Sequence, residues 1–139
     1  MNQWCSLGLF LARLCLAAVF LLSGLGKLMD YHGNEAYMLS KGMTMIPFFL
    51  YAAAFAELAG GLSVALGIKT RGGALLLLLL MIPTTLIFHD FWNVEGGGRQ
   101  LEMIMFLKNT SICGGLMYVL CCGPGSWAFD HWSSYPDRS

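Results

Sequence analysis

An all-α transmembrane four-helix bundle with up-down-up-down topology is the fold class the sequence predicts, on three observations. Of its 139 residues, 57% are hydrophobic and only 12% charged, too apolar a balance for an ordinary soluble domain. Four apolar stretches, at about 5–25, 47–67, 73–92 and 101–122, are each long enough at about 1.5 Å per residue to cross a hydrocarbon core of about 30 Å. The last two links are short, which makes the helices they join antiparallel. No linker is long enough to separate two units, so residues 1–139 are expected to form one domain. The formal net charge is zero and no basic stripe is present, which argues against a nucleic-acid partner.

Each element has its own justification. The first stretch is interrupted by Arg13, has no Lys or Arg before it and no A-x-A site after it, so it reads as a span and not a cleaved signal. Residues 26–46 mix Lys27, Asp30, His32, Glu35 and Lys41 with aromatics and Met, and are expected to fold partly against the membrane surface. The second stretch carries Ala53, Ala54, Glu57, Gly60 and Gly61 on one side, a small-residue face that turns Glu57 inward. In the third, the Leu75 to Leu80 run is followed by Pro83, Thr84 and Thr85, which predicts a kink with hydroxyls bonding freed carbonyls. The fourth follows Gly96, Gly97 and Gly98 and aligns Lys108, Ser111 and Gly115, with Asn109 beside them.

Lys69 and Arg71 in the short link break a near-tie in the positive-inside count, in which Arg138 of the tail lies on the same side and Lys27, Lys41 and Arg99 on the other. Both termini are therefore expected in the cytoplasm. Trp4, Trp92, Trp127 and Trp132 fall near predicted ends, as interfacial anchors.

The mid-span charges point to function. An ionisable side chain at a helix centre costs about 2.5–3.5 kcal/mol on insertion scales, so Arg13, Glu57 and Lys108 must face one another, water or a ligand. Depth counting puts Arg13 and Glu57 near the midplane and predicts a buried ion pair between them. Lys108 stands nearer the outer surface, so Lys27, Glu57, His89, Asp90, Lys108 and Asn109 form a candidate ligand or quinone pocket. Two cations around one interior carboxylate leave about one positive charge for Asp90, Glu102, an anionic lipid head or a reduced quinone to compensate.

Cys5, Cys15, Cys113, Cys121 and Cys122 form no C-x-x-C and no zinc spacing. Cys15 and Cys113 read as packing residues and the other three as inert or acylated, with a thiol relay as the alternative. No metal site is expected; His32, His89 and Asp90 are the alternative set, and His131 lies in the tail. No flavin, haem or iron-sulfur signature is present.

Arg13-Leu14, Phe20, Ser23-Gly24 and Gly26-Lys27-Leu28 open a series that continues with Ala56-Glu57-Leu58, Gly60-Gly61, Leu66-Gly67, Thr70-Arg71 and Ala74. His89, Lys108-Asn109, Gly114-Gly115 and Gly123-Pro124-Gly125 complete it. In order and spacing it resembles the DoxX family, small four-helix membrane proteins of bacteria, over about residues 12–130. Where many relatives read Gly-Pro-Gly-Arg-x-Ser-x-Asp, this chain has Ser126 and Ala128 and retains Asp130. The resemblance implies a multi-pass protein of the bacterial inner membrane. It also implies links to quinone-dependent sulfur oxidation, to thiol and oxidative-stress partnerships and to metal-stress operons.

Two functions follow as expectations. The first is a non-catalytic accessory or scaffold subunit of an envelope or respiratory membrane complex. The second is a quinone- or quinol-linked membrane oxidoreductase subunit, in thiol or sulfur redox chemistry, with an outward-facing polar pocket. Neither assigns a catalytic residue. No cofactor is expected in this chain; the bound ligand would be quinone or lipid, and the partners membrane lipid and either another membrane protein or a second copy.

Overall fold

A computed structural model describes residues 3–133, with side chains to residue 131; Trp132 as an anchor and Arg138 in the charge count lie outside the side chains described. Helix α1 (Gln3–Met29) leads through Asp30, whose carboxylate accepts a hydrogen bond from the Gly33 N–H at 3.0 Å, into α2 (Tyr31–Ser40). Then come α3 (Ile46–Leu66), α4 (Thr70–Phe88), a 3₁₀ turn at Phe91–Asn93, α5 (Gly98–Cys122) and a short α6 (Phe129–Ser133). Among the described residues there is no strand, and four helical segments are long and apolar enough to cross a membrane. Large apolar side chains such as Phe55, Leu62 and Leu79 cover their outer faces.

The surface-facing connection is the helix α2, laid over one end of the bundle. Met38 is buried there with Ile46 and Leu50, and the Tyr37 ring stacks on Phe88 at 5.3 Å. The central core joins Ala17 and Phe20 of α1, Val64 of α3, Leu77 and Met81 of α4, and Leu116 and Val119 of α5.

α1 packs on α3, α3 on α4 and α4 on α5, whereas α1 and α5 barely touch. The α3/α4 seam is close because glycines allow it: a Cβ on Gly60 would come within 2.6 Å of Leu77 Cγ.

Helix ends depart from the apolar pattern. α1 has 27 residues, about 40 Å of helix, and overruns the expected 5–25 stretch at both ends. α4 starts at Thr70, not 73, and stops at Phe88, not 92. Hydropathy alone does not register backbone turns and caps such as the one at the start of α4, where the Lys69 and Thr70 amides donate to Asp130. α4 runs unbroken through Pro83. Thr84 and Thr85 do donate to carbonyls, but to Leu80 O (2.8 Å) and Met81 O (2.7 Å), one turn back from each, and not to Leu79, whose amide partner Pro83 removes.

Candidate functional site: a polar cavity beneath α2

α1 and α3 run antiparallel with Gly24 against Ala54 and Leu58, and Ala17 and Leu21 against Gly61. In this register Glu57 stands level with about Ser23, roughly 15 Å along the helix from Arg13. Side chains on a helix lean toward its N-terminus, so on α1 Arg13 leans away from Glu57 and Lys27 leans toward it. Lys27 Nζ accordingly lies 2.8 Å from both Glu57 oxygens, and it donates to Ser23 Oγ at 2.8 Å. Ser23 in turn donates to Glu57 Oε1 at 3.1 Å. The expected Arg13–Glu57 ion pair is therefore corrected: the partner of Glu57 is Lys27. Depth counted on a 5–25 span had placed Arg13 and Glu57 on one level, and side-chain direction separates them.

Arg13 serves the opposite end of the bundle. Its guanidinium donates to the carbonyls of Pro124 (2.7 Å), Trp127 (2.9 Å) and Ala65 (3.3 Å), while its buried Nε has no partner. The segment it holds folds back under the bundle. There the Asp130 carboxylate accepts from the Lys69 N–H at 2.7 Å, the Thr70 N–H at 2.8 Å and the Thr70 hydroxyl at 2.7 Å, capping the N-terminus of α4 from a distant part of the chain. Burial pushes the Asp130 carboxyl up, but these bonds and the Arg13 charge outweigh it and hold it below the usual carboxylate range. Sequence reading did not foresee this closure. Retention of Asp130 beside an altered Ser126 and Ala128 was the available signal: Ala128 is buried against Gly67, and Ser126 Oγ meets Ser6 Oγ at 2.7 Å.

Under α2 lies a cavity of about 360 Å³. Lys27, Glu57, His89, Lys108 and Asn109, five of the six candidate pocket residues, line it. Asp90 does not: it accepts from Lys41 Nζ at 2.8 Å and from Asn93 at 3.1 Å, tying the end of α4 to α2. That bond to Asp90 is the chief reason the Lys41 ammonium is held above its ordinary range. His89 Nδ1 lies 2.9 Å from Glu102 Oε2. Tyr37, Asn34, Ser23 and Thr84 also face the space, with Phe20, Leu50 and Met81 as apolar wall. Sequence periodicity could not supply Tyr37 or Asn34, because nothing in it fixed where residues 26–46 fold. Burial raises the Tyr37 phenol, and the Glu102 charge adds to the effect.

Both outer carboxylates are thus committed, Asp90 to Lys41 and Glu102 to His89. Lys27 neutralises Glu57. Lys108 forms no ion pair among the described residues; its Nζ meets only the Met105 sulfur, at 3.2 Å. Beside it, Asn109 is 7% exposed and its amide makes no hydrogen bond among the described residues. A lone cation and an amide open to the wall of a half-apolar cavity can hold a ligand that offers oxygen acceptors or a partial negative charge.

All five cysteines are free thiols; Cys113 is half-buried, but Cys15 is exposed and not packed inside. Among the described residues no three His, Cys, Asp or Glu side chains converge as metal ligands. His32 instead turns to Glu35 at 3.5 Å, away from His89 and Asp90.

Residues 8–90 match the DoxX family model, and residues 57–134 match that of the SURF4 family. Inner membrane protein YphA of Escherichia coli is 31% identical over 122 residues, covering 88% of this chain and 87% of that protein. Inner membrane protein YqjF of the same organism is 32% identical over 123 residues, covering 88% and 89%. Surfeit locus protein 4 homolog of Schizosaccharomyces pombe is 33% identical over 69 residues, 48% of this chain and 23% of that protein. No solved structure gives a significant match. The chain therefore belongs to the DoxX family, and its C-terminal part shares the sequence pattern of the SURF4 family.

Proposed function

We propose that this protein is an accessory subunit of a bacterial inner-membrane complex that binds the head of a quinone or quinol in the cavity beneath α2. Its likeness to two Escherichia coli inner membrane proteins supports the location. The observation that carries the ligand is the excess charge: a cavity lined by Lys27, Glu57 and Lys108 contains one ion pair and one cation without a carboxylate. An aromatic ring with two oxygens matches apolar walls at Phe20, Leu50 and Met81, with the Lys108 ammonium and the Asn109 amide as donors. Where negative charge develops on a ring oxygen, the ammonium stabilises it. The His89–Glu102 pair at the rim is suited to exchanging a proton with the adjacent aqueous phase. The redox centre belongs to a partner protein, and the chain's own share is to bind and position.

In the orientation this role implies, both termini are cytoplasmic and α2 covers the outer end. Purification in a mild detergent, followed by mass spectrometry of extracted lipids and co-purifying proteins, tests the proposal. Stoichiometric quinone retained by the wild type and lost from Lys108→Ala supports it. Wild-type protein carrying phospholipid alone, with no affinity for added quinone, overturns it.

A further inference from the structure

A second cavity, of about 490 Å³, runs as a groove between α1 and α5 on the side where those helices barely touch. Val19, Lys108 and Ile112 line both this groove and the cavity beneath α2, so the two spaces share one wall. Cys15 and Ser111 on the groove are exposed, so it opens sideways, on the face a bilayer covers. At its far end it closes against Arg13 and Pro124. Ten residues separate Lys108 from Tyr118, about 15 Å of helix, which sets the length of the groove.

We infer that this groove seats the isoprenoid tail of the quinone whose head lies beneath α2, and that the ligand enters from the membrane past Lys108. The inference rests on the quinone reading above and adds the class of ligand and its route. Lys108 marks the junction: above it the walls carry Glu57, Asn109 and His89, and below it, apart from Tyr118 and a Ser111 hydroxyl bonded to its own helix, they are apolar as far as Arg13. An apolar partner helix laid in the same groove would face that ammonium with hydrocarbon, which costs free energy at this depth. A tail whose own head supplies oxygens to the ammonium avoids the cost.

The test uses full-length protein in phospholipid nanodiscs with a ubiquinone analogue bearing a diazirine on its tail. After photolysis, label should concentrate on α1 and α5 around Leu16 and Gly115, several-fold above the outward positions Leu62 and Leu79. Ser111→Phe fills the groove from a position whose hydroxyl bonds only the Leu107 carbonyl, so the bundle is left intact. It should lose this labelling while still binding a short-chain ubiquinone as the wild type does. Label spread evenly over the outer faces, equal labelling of the groove by a diazirine phospholipid, or a Ser111→Phe variant labelled like the wild type would each overturn the inference. If the wild type binds short-chain ubiquinone but the groove is not labelled, only the tail route falls. If it binds no ubiquinone, the headgroup reading falls and the tail route with it.

Discussion

Lys27 reaches back one turn along α1 to place its ammonium 2.8 Å from both carboxylate oxygens of Glu57 on α3, at the floor of the cavity beneath α2. The Glu57 side chain is 9% exposed and that of Lys27 22%, so the pair is largely withdrawn from solvent and removing either partner strands the other.

Lys27→Met should therefore destabilise the bundle by about 3 kcal/mol, because Glu57 is left buried and unpaired. Combining it with Glu57→Leu should restore most of that loss. Unfolding of both single variants and the double variant in detergent gives the coupling free energy. Strictly additive losses would show that the two side chains do not act as a pair.

Gly67 ends α3 at φ 72°, and a Cβ there would lie 2.5 Å from Ala128 Cβ. Gly67→Ala should cost about 1–3 kcal/mol from backbone strain and overpacking together. It should also loosen the segment that Arg13 and Asp130 hold, read as faster protease cleavage after Cys122.

Asp130 gives the same end a pH dependence. Its folded pKa lies below the unfolded value, so its contribution to stability is complete above about pH 3.9 and is lost as pH falls through the folded pKa. Wild-type stability should therefore fall below about pH 4. Asp130→Asn should be less stable at neutral pH and flatter in that acid window. Parallel acid profiles for the two proteins would remove Asp130 as the source.

Apolar length and short links were enough to predict four antiparallel spans and the inward turn of Glu57, since both are periodic signals within one helix. Lys27, Glu57, His89, Lys108 and Asn109 could be grouped because depth along neighbouring helices is a matter of counting. Which cation meets Glu57 could not be counted: it depends on the lean of α1 side chains and on helix ends that pass the apolar run. The Asp130 cap and the docking of Tyr37 were hidden for another reason. Both join segments far apart in the chain whose positions no periodicity fixes.

Native thiols test the proposed orientation. Cys121 and Cys122 are exposed at the end opposite α2, and Ser40 is exposed at the end of α2. In single-cysteine variants, Ser40→Cys with all native cysteines replaced should react with a membrane-impermeant maleimide added outside the cell, whereas a variant keeping only Cys121 should react only after permeabilisation. The reverse pattern would invert the topology and place the cavity mouth in the cytoplasm.

Titration of a short-chain ubiquinone into the detergent-solubilised wild type, Lys108→Ala and Asn109→Ala tests the cavity most directly. Saturable binding by the wild type, weakened about ten-fold or more in each variant by loss of one donor to the ring oxygens, is the predicted result. Equal affinity in all three proteins, each still folded, would contradict the assignment of Lys108 and Asn109 as the groups that hold the ligand.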